Sequence, residues 1–280
     1  MSKFNVLKDS TLEEFLSEFY LSKSNINILL NSDYLINNVK SKSKEFKKGD
    51  IIEFDFSIFQ KIEFEEYKVK LDIVYEDDYI LVVNKPTKML IHPDGNRNDT
   101  LSNALSFYYH INNIDASVRA MHRLDYETSG LVLFSKDILS YSFINQQLEA
   151  RKFLREYIAI TDGVIEEDTG ILDFKIGRNR HNSKKQIVSK TGKEAITTYE
   201  VLKRSNNNTK VKINIETGRT HQIRVHFSHI NHPITGDELY GKKAKRMFLH
   251  ASLISFIHPN TKKIIEVKAN VNEEEGKWFL

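Results

Sequence analysis

Residues 121–136 read MHRLDYETSGLVLFSK and set three ionisable side chains, His122, Arg123 and Asp125, around Leu124. Thr128, Ser129 and Gly130 are turn formers, and Leu131 to Phe134 make an apolar run short enough for a buried strand. Charge is thereby carried to the edge of a core, in a loop seated on a strand, where binding and catalytic groups concentrate. An isolated Arg-Leu-Asp triplet would ordinarily be a surface ion pair capping a turn, but other stretches favour chemistry. Tyr157 stands in an alternating segment with Arg155 and Ala159. Arg224 falls one turn into a helical pattern after Gly218, close enough for its guanidinium to reach back to a loop. Residues 178–193 carry Arg178, Arg180, Lys184, Lys185, Lys190 and Lys193 and no acidic residue. Such a cluster can lie along phosphates and release counterions. A carboxylate in this setting can add to a sugar or a base as a nucleophile, or steady a cationic sugar. Ordinary glycoside hydrolysis, which uses a pair of carboxylates, fits less well because only Asp125 is indicated.

Hydrophobic spacing predicts the elements that must hold these groups. Leu12, Phe15, Leu16 and Phe19 are spaced as in a helix, with Ser10 and Glu13 matching a capping box, and residues 22–33 suit a second helix. Tyr34 to Asn37 and the alternation of Ile52, Phe54 and Phe56 predict short strands. Charged, aperiodic residues from 60 to 69 read as a linker. Leu71–Tyr75 and Tyr79–Val83 flank the acidic turn Glu76-Asp77-Asp78 as in a hairpin, which Lys85-Pro86 ends. Further helices are expected from Thr100 to Tyr109 and from Ile138 to Arg151. Strands are expected over Ile171–Ile176, Ala195–Leu202 and Val211–Ile215, so the basic cluster would sit on a long hairpin projecting over the cleft. Gly218 makes a turn into a helix whose expected cap is Thr220.

The run HRLD followed by TSGLVLFSK resembles the signature of the RluA-type family of RNA pseudouridine synthases. RxYxA at Arg155-Tyr157-Ala159 and ETGRTHQIRVHFSHINHPITGDELYG resemble the family's second and third motifs. The resemblance implies that Asp125 is catalytic, that Tyr157 packs against the flipped uracil and that Arg224 is the basic partner of Asp125. It assigns Arg123 to holding the target nucleotide out of its helix, His122 to the substrate, Leu249 to an apolar position in the cleft, and Lys85-Pro86 with His92-Pro93 to its floor. Arg178, Lys184 and Lys185 are expected to contact RNA through the basic hairpin. The implied fold is α+β, a mixed, largely antiparallel curved sheet with flanking helices over residues 71–280. Residues 1–60, with LLNSDYLINN and FKKGDIIEF, resemble an S4-type RNA-binding domain, departing from it at Lys23 and at Asn31-Ser32-Asp33. An S4-like module on this family points to large-subunit ribosomal RNA, with transfer RNA as the alternative substrate.

A chain of 280 residues suits two domains. The net charge of +3 is too weak to identify a nucleic-acid partner by itself, so the clusters at 40–48 and 178–193 must carry that inference. With no cysteine, disulfides, thiol nucleophiles and sulfur-built zinc sites are excluded, and a reducing cytoplasm is the expected compartment. No apolar run reaches signal-peptide or membrane-span length. His226, His229 and His232 repeat every third residue, yet His232 precedes Pro233 beyond the helical pattern and no carboxylate stands at ligand spacing, so no metal site is expected. Isomerising uridine involves no redox step, hence no cofactor is expected. A monomer acting on RNA is the resulting expectation. A catalytically silent RNA-binding protein of the same fold is the competing class, and a small-molecule glycosyl enzyme the other. Asp125, Tyr157 and Arg224 together disfavour the first, and the basic segments disfavour the second.

Overall fold

The computed structural model describes residues 2–59 and 61–270. Its centre is a ten-stranded sheet, open rather than closed into a barrel. Across it run Thr169–Asp173, Ile196–Arg204, Asn208–Ile215, Leu154–Asp162, Leu249–Ile257, Ser129–Ser135, Ile80–Lys85 and Ile73–Glu76. Ile264–Lys268 and Arg119–Ala120 add onto Leu249–Ile257 and Ser129–Ser135. Neighbours pair antiparallel except at the middle, where Ser129–Ser135 runs parallel to Leu249–Ile257 through Ser129↔His250 and Gly130↔Ala251. The expected mixed, largely antiparallel α+β architecture is therefore the observed one.

That parallel joint needs Gly130. Its φ of +115° is hard for an L side chain, and a Cβ there would fall 2.3 Å from the Ala251 carbonyl oxygen. The strand it opens, Ser129–Ser135, is buried along its whole length because both faces are covered. On one face Leu131 and Leu133 join Ile80, Val82, Phe143 and Phe256; on the other, Val132 and Phe134 join Leu81, Val83, Leu101, Leu105 and Phe227. Helix Leu101–Ile111 is capped by Thr100, and helix Ile138–Glu149 by Asp137, which accepts hydrogen bonds from the Ser140 amide and hydroxyl.

Residues 2–59 form a four-stranded sheet, ordered Ser2–Asn5, Ile51–Phe54, Tyr34–Ile36 and Val39–Ser41, with helices Leu12–Ser17 and Lys23–Leu30. This module does not stand apart. Phe4 lies 5.1 Å from Tyr79 and Phe19 lies 6.0 Å from Phe143, ring to ring, and the Asn5 amide donates to Asn260 Oδ1 at 2.8 Å. Lys262 Nζ sits over the Phe19 and Phe143 rings at 4.2 and 3.8 Å. One apolar cluster runs through module and main sheet alike. The irregular segment after residue 60 is likewise fixed to the main body: the Phe64 amide donates to Ser106 Oγ and the Tyr67 amide to the Asn103 carbonyl.

Some local expectations are corrected. The capping box is Thr11 with Glu14, since Thr11 Oγ1 accepts from the Glu14 amide and Glu14 accepts from the Thr11 amide; Ser10 and Glu13 stand one residue too early. Helix Gln222–His229 begins after His221, at φ 57°, rather than at Thr220. The single long basic hairpin is two ribbons. Thr169–Asp173 pairs with Ile196–Arg204 in the main sheet, and the basic residues flank a separate pair, Ile176–Arg178 with Gln186–Val188.

Candidate active site

Lys85 closes strand Ile80–Lys85 with its side chain buried, donating from Nζ to the carbonyls of Pro86 and Met89 at 2.9 Å and of Tyr126 at 3.4 Å. Burial pushes its pKa down to about 7, while the Asp125 and Glu127 charges oppose that shift. Lys85 thereby ties the residue after Asp125 to the end of a core strand. The Thr128 amide closes the turn onto the Asp125 carbonyl at 3.1 Å. Asp125 is presented from a loop held on both sides, and its side chain is 20% exposed.

Opposite, the first turn of helix Gln222–His229 supplies Arg224. Its Nη1 donates to Asp125 Oδ2 at 3.1 Å. Its other edge is gripped in bidentate fashion by Asp237, with Nε to Oδ2 at 2.7 Å and Nη2 to Oδ1 at 2.9 Å. Asp237 is itself held by the Leu239 and Tyr240 amides. Burial alone would lower the Arg224 pKa, yet Asp237 and Asp125 hold it above its ordinary value, so the guanidinium stays charged. The Tyr240 ring covers it at 5.2 Å. Tyr240 Oη accepts from the Gln186 amide at 2.7 Å and lies 2.9 Å from His221 Nδ1, while His221 Nε2 is 3.9 Å from Asp125 Oδ2. Burial lowers the His221 pKa and favours neutral imidazole. The base of the basic hairpin is thus anchored beside the carboxylate.

Asp125 and Arg224 line a cavity of about 480 Å³. Leu124, Tyr157 and Leu249 form its apolar wall, all buried. Between Glu156↔Leu253 and Tyr157↔Ala251 the register against Leu249–Ile257 shifts by one residue, with Ser252 left out of the pairing, immediately before Tyr157. Burial raises the Tyr157 pKa, so the phenol stays protonated, and its hydroxyl has no hydrogen-bond partner among the described residues. Arg123 is exposed at the rim. His122 faces the wall: its ring packs on Phe153 at 5.6 Å and Nε2 accepts from the Leu133 amide at 3.4 Å, and burial keeps it neutral.

The structure therefore brings Asp125, Arg224, Tyr157, Leu249, Arg123 and His122 to one cavity. Arg178 and Lys184 are exposed on the neighbouring ribbon, outside it, and Lys185 Nζ lies 5.7 Å from the Tyr240 ring. Asp237, His221 and Tyr240 were not singled out by sequence, and Arg155 only as a motif position. Asp237 and Tyr240 lie in GDELYG, inside the third-motif match, and an acid close behind a helix that offers a buried arginine is the signal that could have found Asp237. The repeated histidines have structural roles: His226 bonds Thr197 Oγ1 and the Phe174 carbonyl.

The family model described as RNA pseudouridylate synthase matches residues 79–229. The uncharacterized RNA pseudouridine synthase YhcT of Bacillus subtilis is 36% identical over 249 residues, covering 86% of this chain and 80% of that one. The ribosomal large subunit pseudouridine synthase D of Haemophilus ducreyi is 34% identical over 283 residues, covering 93% and 86%. Among solved structures, human RNA pseudouridylate synthase domain containing 1 aligns with a TM-score of 0.61 at 28% identity, covering 72% of this chain and 84% of that one. The chain is thus an RNA-modifying isomerase. It belongs to the RNA pseudouridine synthase family, of the type to which the large-subunit synthases D belong. Among the described residues, no helix is long and apolar enough to cross a membrane.

Proposed function

We propose that this enzyme converts specific uridines of large-subunit ribosomal RNA to pseudouridine, with Asp125 as the catalytic carboxylate acting on a uridine extruded from its helix. The reaction breaks the bond from C1′ to N1 of the base and makes one from C1′ to C5, while a proton leaves C5 and one is gained at N1. The observation that carries the reading is Asp125 bonded to Arg224, itself clamped by buried Asp237, in a cavity of about 480 Å³. A carboxylate so held is oriented to act at C1′ or on the base, as carboxylates act on related sugar–base and sugar–sugar bonds. Tyr157 offers a flat apolar face to the uracil, and Leu249 closes the wall beneath it.

Extruding the base costs a few kcal/mol of stacking and pairing. Arg123, exposed at the rim, fills the vacated space in this reading. Arg178, Lys184 and Lys185 supply phosphate contacts, as does the module of residues 1–60. The ribosomal target is supported by the Haemophilus relative, a large-subunit synthase by name, which aligns along 93% of this chain. Mapping pseudouridines in total RNA from cells with and without the protein tests both substrate and reaction. Sites in large-subunit RNA should vanish without it and return with wild-type protein but not with Asp125→Asn. Sites vanishing only from transfer RNA would overturn the substrate, and rescue by Asp125→Asn would overturn the catalytic role.

A further inference from the structure

Arg155 precedes Tyr157 by two positions in strand Leu154–Asp162, so both side chains lie on the face that lines the cavity. Only 9% of Arg155 is exposed. Its Nε is buried without a hydrogen-bond partner, and the guanidinium has no ion pair among the described residues. The other cavity arginines near it are accounted for. Arg224 has Asp125 and Asp237, Arg151 meets Glu194 and Glu216, and Arg219 Nε donates to the Glu194 carbonyl. A Cβ on Gly218 would come within 2.9 Å of Arg155 Nη1, so glycine at this position leaves the guanidinium its place. A buried cation without a counter-charge is costly, and a forked guanidinium matches an anion that can accept two hydrogen bonds.

RNA carries one kind of anion, the phosphodiester. We propose that Arg155 binds a phosphodiester of the extruded nucleotide and so seats its sugar against Asp125; this rests on the reading that the Asp125 cavity receives that nucleotide. The carbonyl oxygens of uracil could accept hydrogen bonds there but would leave the charge unbalanced. His122 beside it is neutral and brings no counter-charge.

The test uses full-length protein and uridine 3′,5′-bisphosphate, with uridine as the uncharged control. Wild-type melting temperature should rise with the bisphosphate, and the Arg155 Nε–Hε resonance should shift. Arg155→Met should melt no lower than wild type without ligand, because an unbalanced cation has gone. It should bind the bisphosphate about tenfold more weakly with little change for uridine. Arg155→Lys, which keeps a cation, should recover part of the loss. The proposal is overturned if the bisphosphate does not bind wild type, if uridine shifts the resonance equally, or if Arg155→Met binds both ligands as wild type does. It is also overturned if Arg155→Met melts well below wild type, since Arg155 would then be a structural ion. None of these readouts requires turnover, so failure of the Asp125 assignment shows separately, as activity in Asp125→Asn.

Discussion

At the scale of single residues the site is a chain of charges, Asp125, Arg224 and Asp237, of which the first two line the cavity and the third is buried behind them. Arg224→Met should abolish pseudouridine formation and also cost about 3–5 kcal/mol of stability, because it strands two carboxylates, one of them fully buried. Denaturant unfolding beside a turnover assay checks it; a variant of normal stability and rate would refute the pairing. Tyr157→Phe keeps the flat ring but removes a hydroxyl that no described side chain engages, so kcat should fall while RNA affinity holds. An unchanged kcat would leave Tyr157 with packing alone. Asp125, Tyr157 and Arg224 were legible in the sequence because each sits in a short run of distinctive residue types. Asp237 was not, nor was a role for Arg155. Their importance lies in what surrounds them, a clamped guanidinium in one case and an unanswered one in the other, and a linear chain does not display either.

At the scale of elements, most helices and strands were readable from spacing, and the misses at helix starts come from side-chain capping in one case and backbone conformation in the other. Thr11 rather than Ser10 caps the first helix, and His221 in the left-handed region, rather than Thr220, opens the helix of Arg224. The parallel joint beneath the Asp125 loop was not legible, since pairing between residues far apart in sequence leaves no local period. It makes a sharp prediction. Gly130→Ala would drive a Cβ into the Ala251 backbone and should destabilise the protein by at least about 2 kcal/mol, lowering activity with it. A second concerns the cap of helix Ile138–Glu149. Burial pushes the Asp137 carboxyl up to about 6 despite its hydrogen bonds from Ser140 and Leu139. Between 3.8 and that value the folded state holds more protons than the unfolded one, so stability falls as pH rises through this window. Asp137→Asn keeps a good cap without the charge. It should therefore gain on wild type by up to about 2–3 kcal/mol near pH 7, the gap closing below about pH 4. Parallel stability–pH curves for the two proteins would show the cause to be wrong.

At the scale of the whole molecule, the question is whether residues 1–60 act as a separate RNA-binding unit. The charged, aperiodic stretch after residue 60 led to the expectation of a boundary there, but the burial of Phe4 and Phe19 against Tyr79, Phe143 and Lys262 was not legible, because apolar spacing cannot say which partner covers a face. Removing residues 1–60 would expose that apolar surface, so truncation should lower stability and confound any binding measurement. Charge neutralisation in the full chain is the cleaner route. In the module, Lys40 and Lys47 are already paired with Asp33 and Asp9, whereas Lys42, Lys44 and Lys48 are exposed with no side-chain ion pair among the described residues. Lys184 and Lys190 on the ribbon beside the cavity are likewise unpaired. Each lysine–phosphate pairing removed should take roughly 0.7 to 0.9 from the slope of log affinity against log salt. With a large-subunit ribosomal RNA transcript, replacing Lys184, Lys185 and Lys190 by Gln should flatten the slope and raise KM, since these residues adjoin the site. Replacing Lys42, Lys44 and Lys48 should flatten it comparably if the module grips RNA. A slope unchanged by the second set, with the first set still effective, would make the amino-terminal module a structural brace for the sheet and leave recognition to the catalytic body alone.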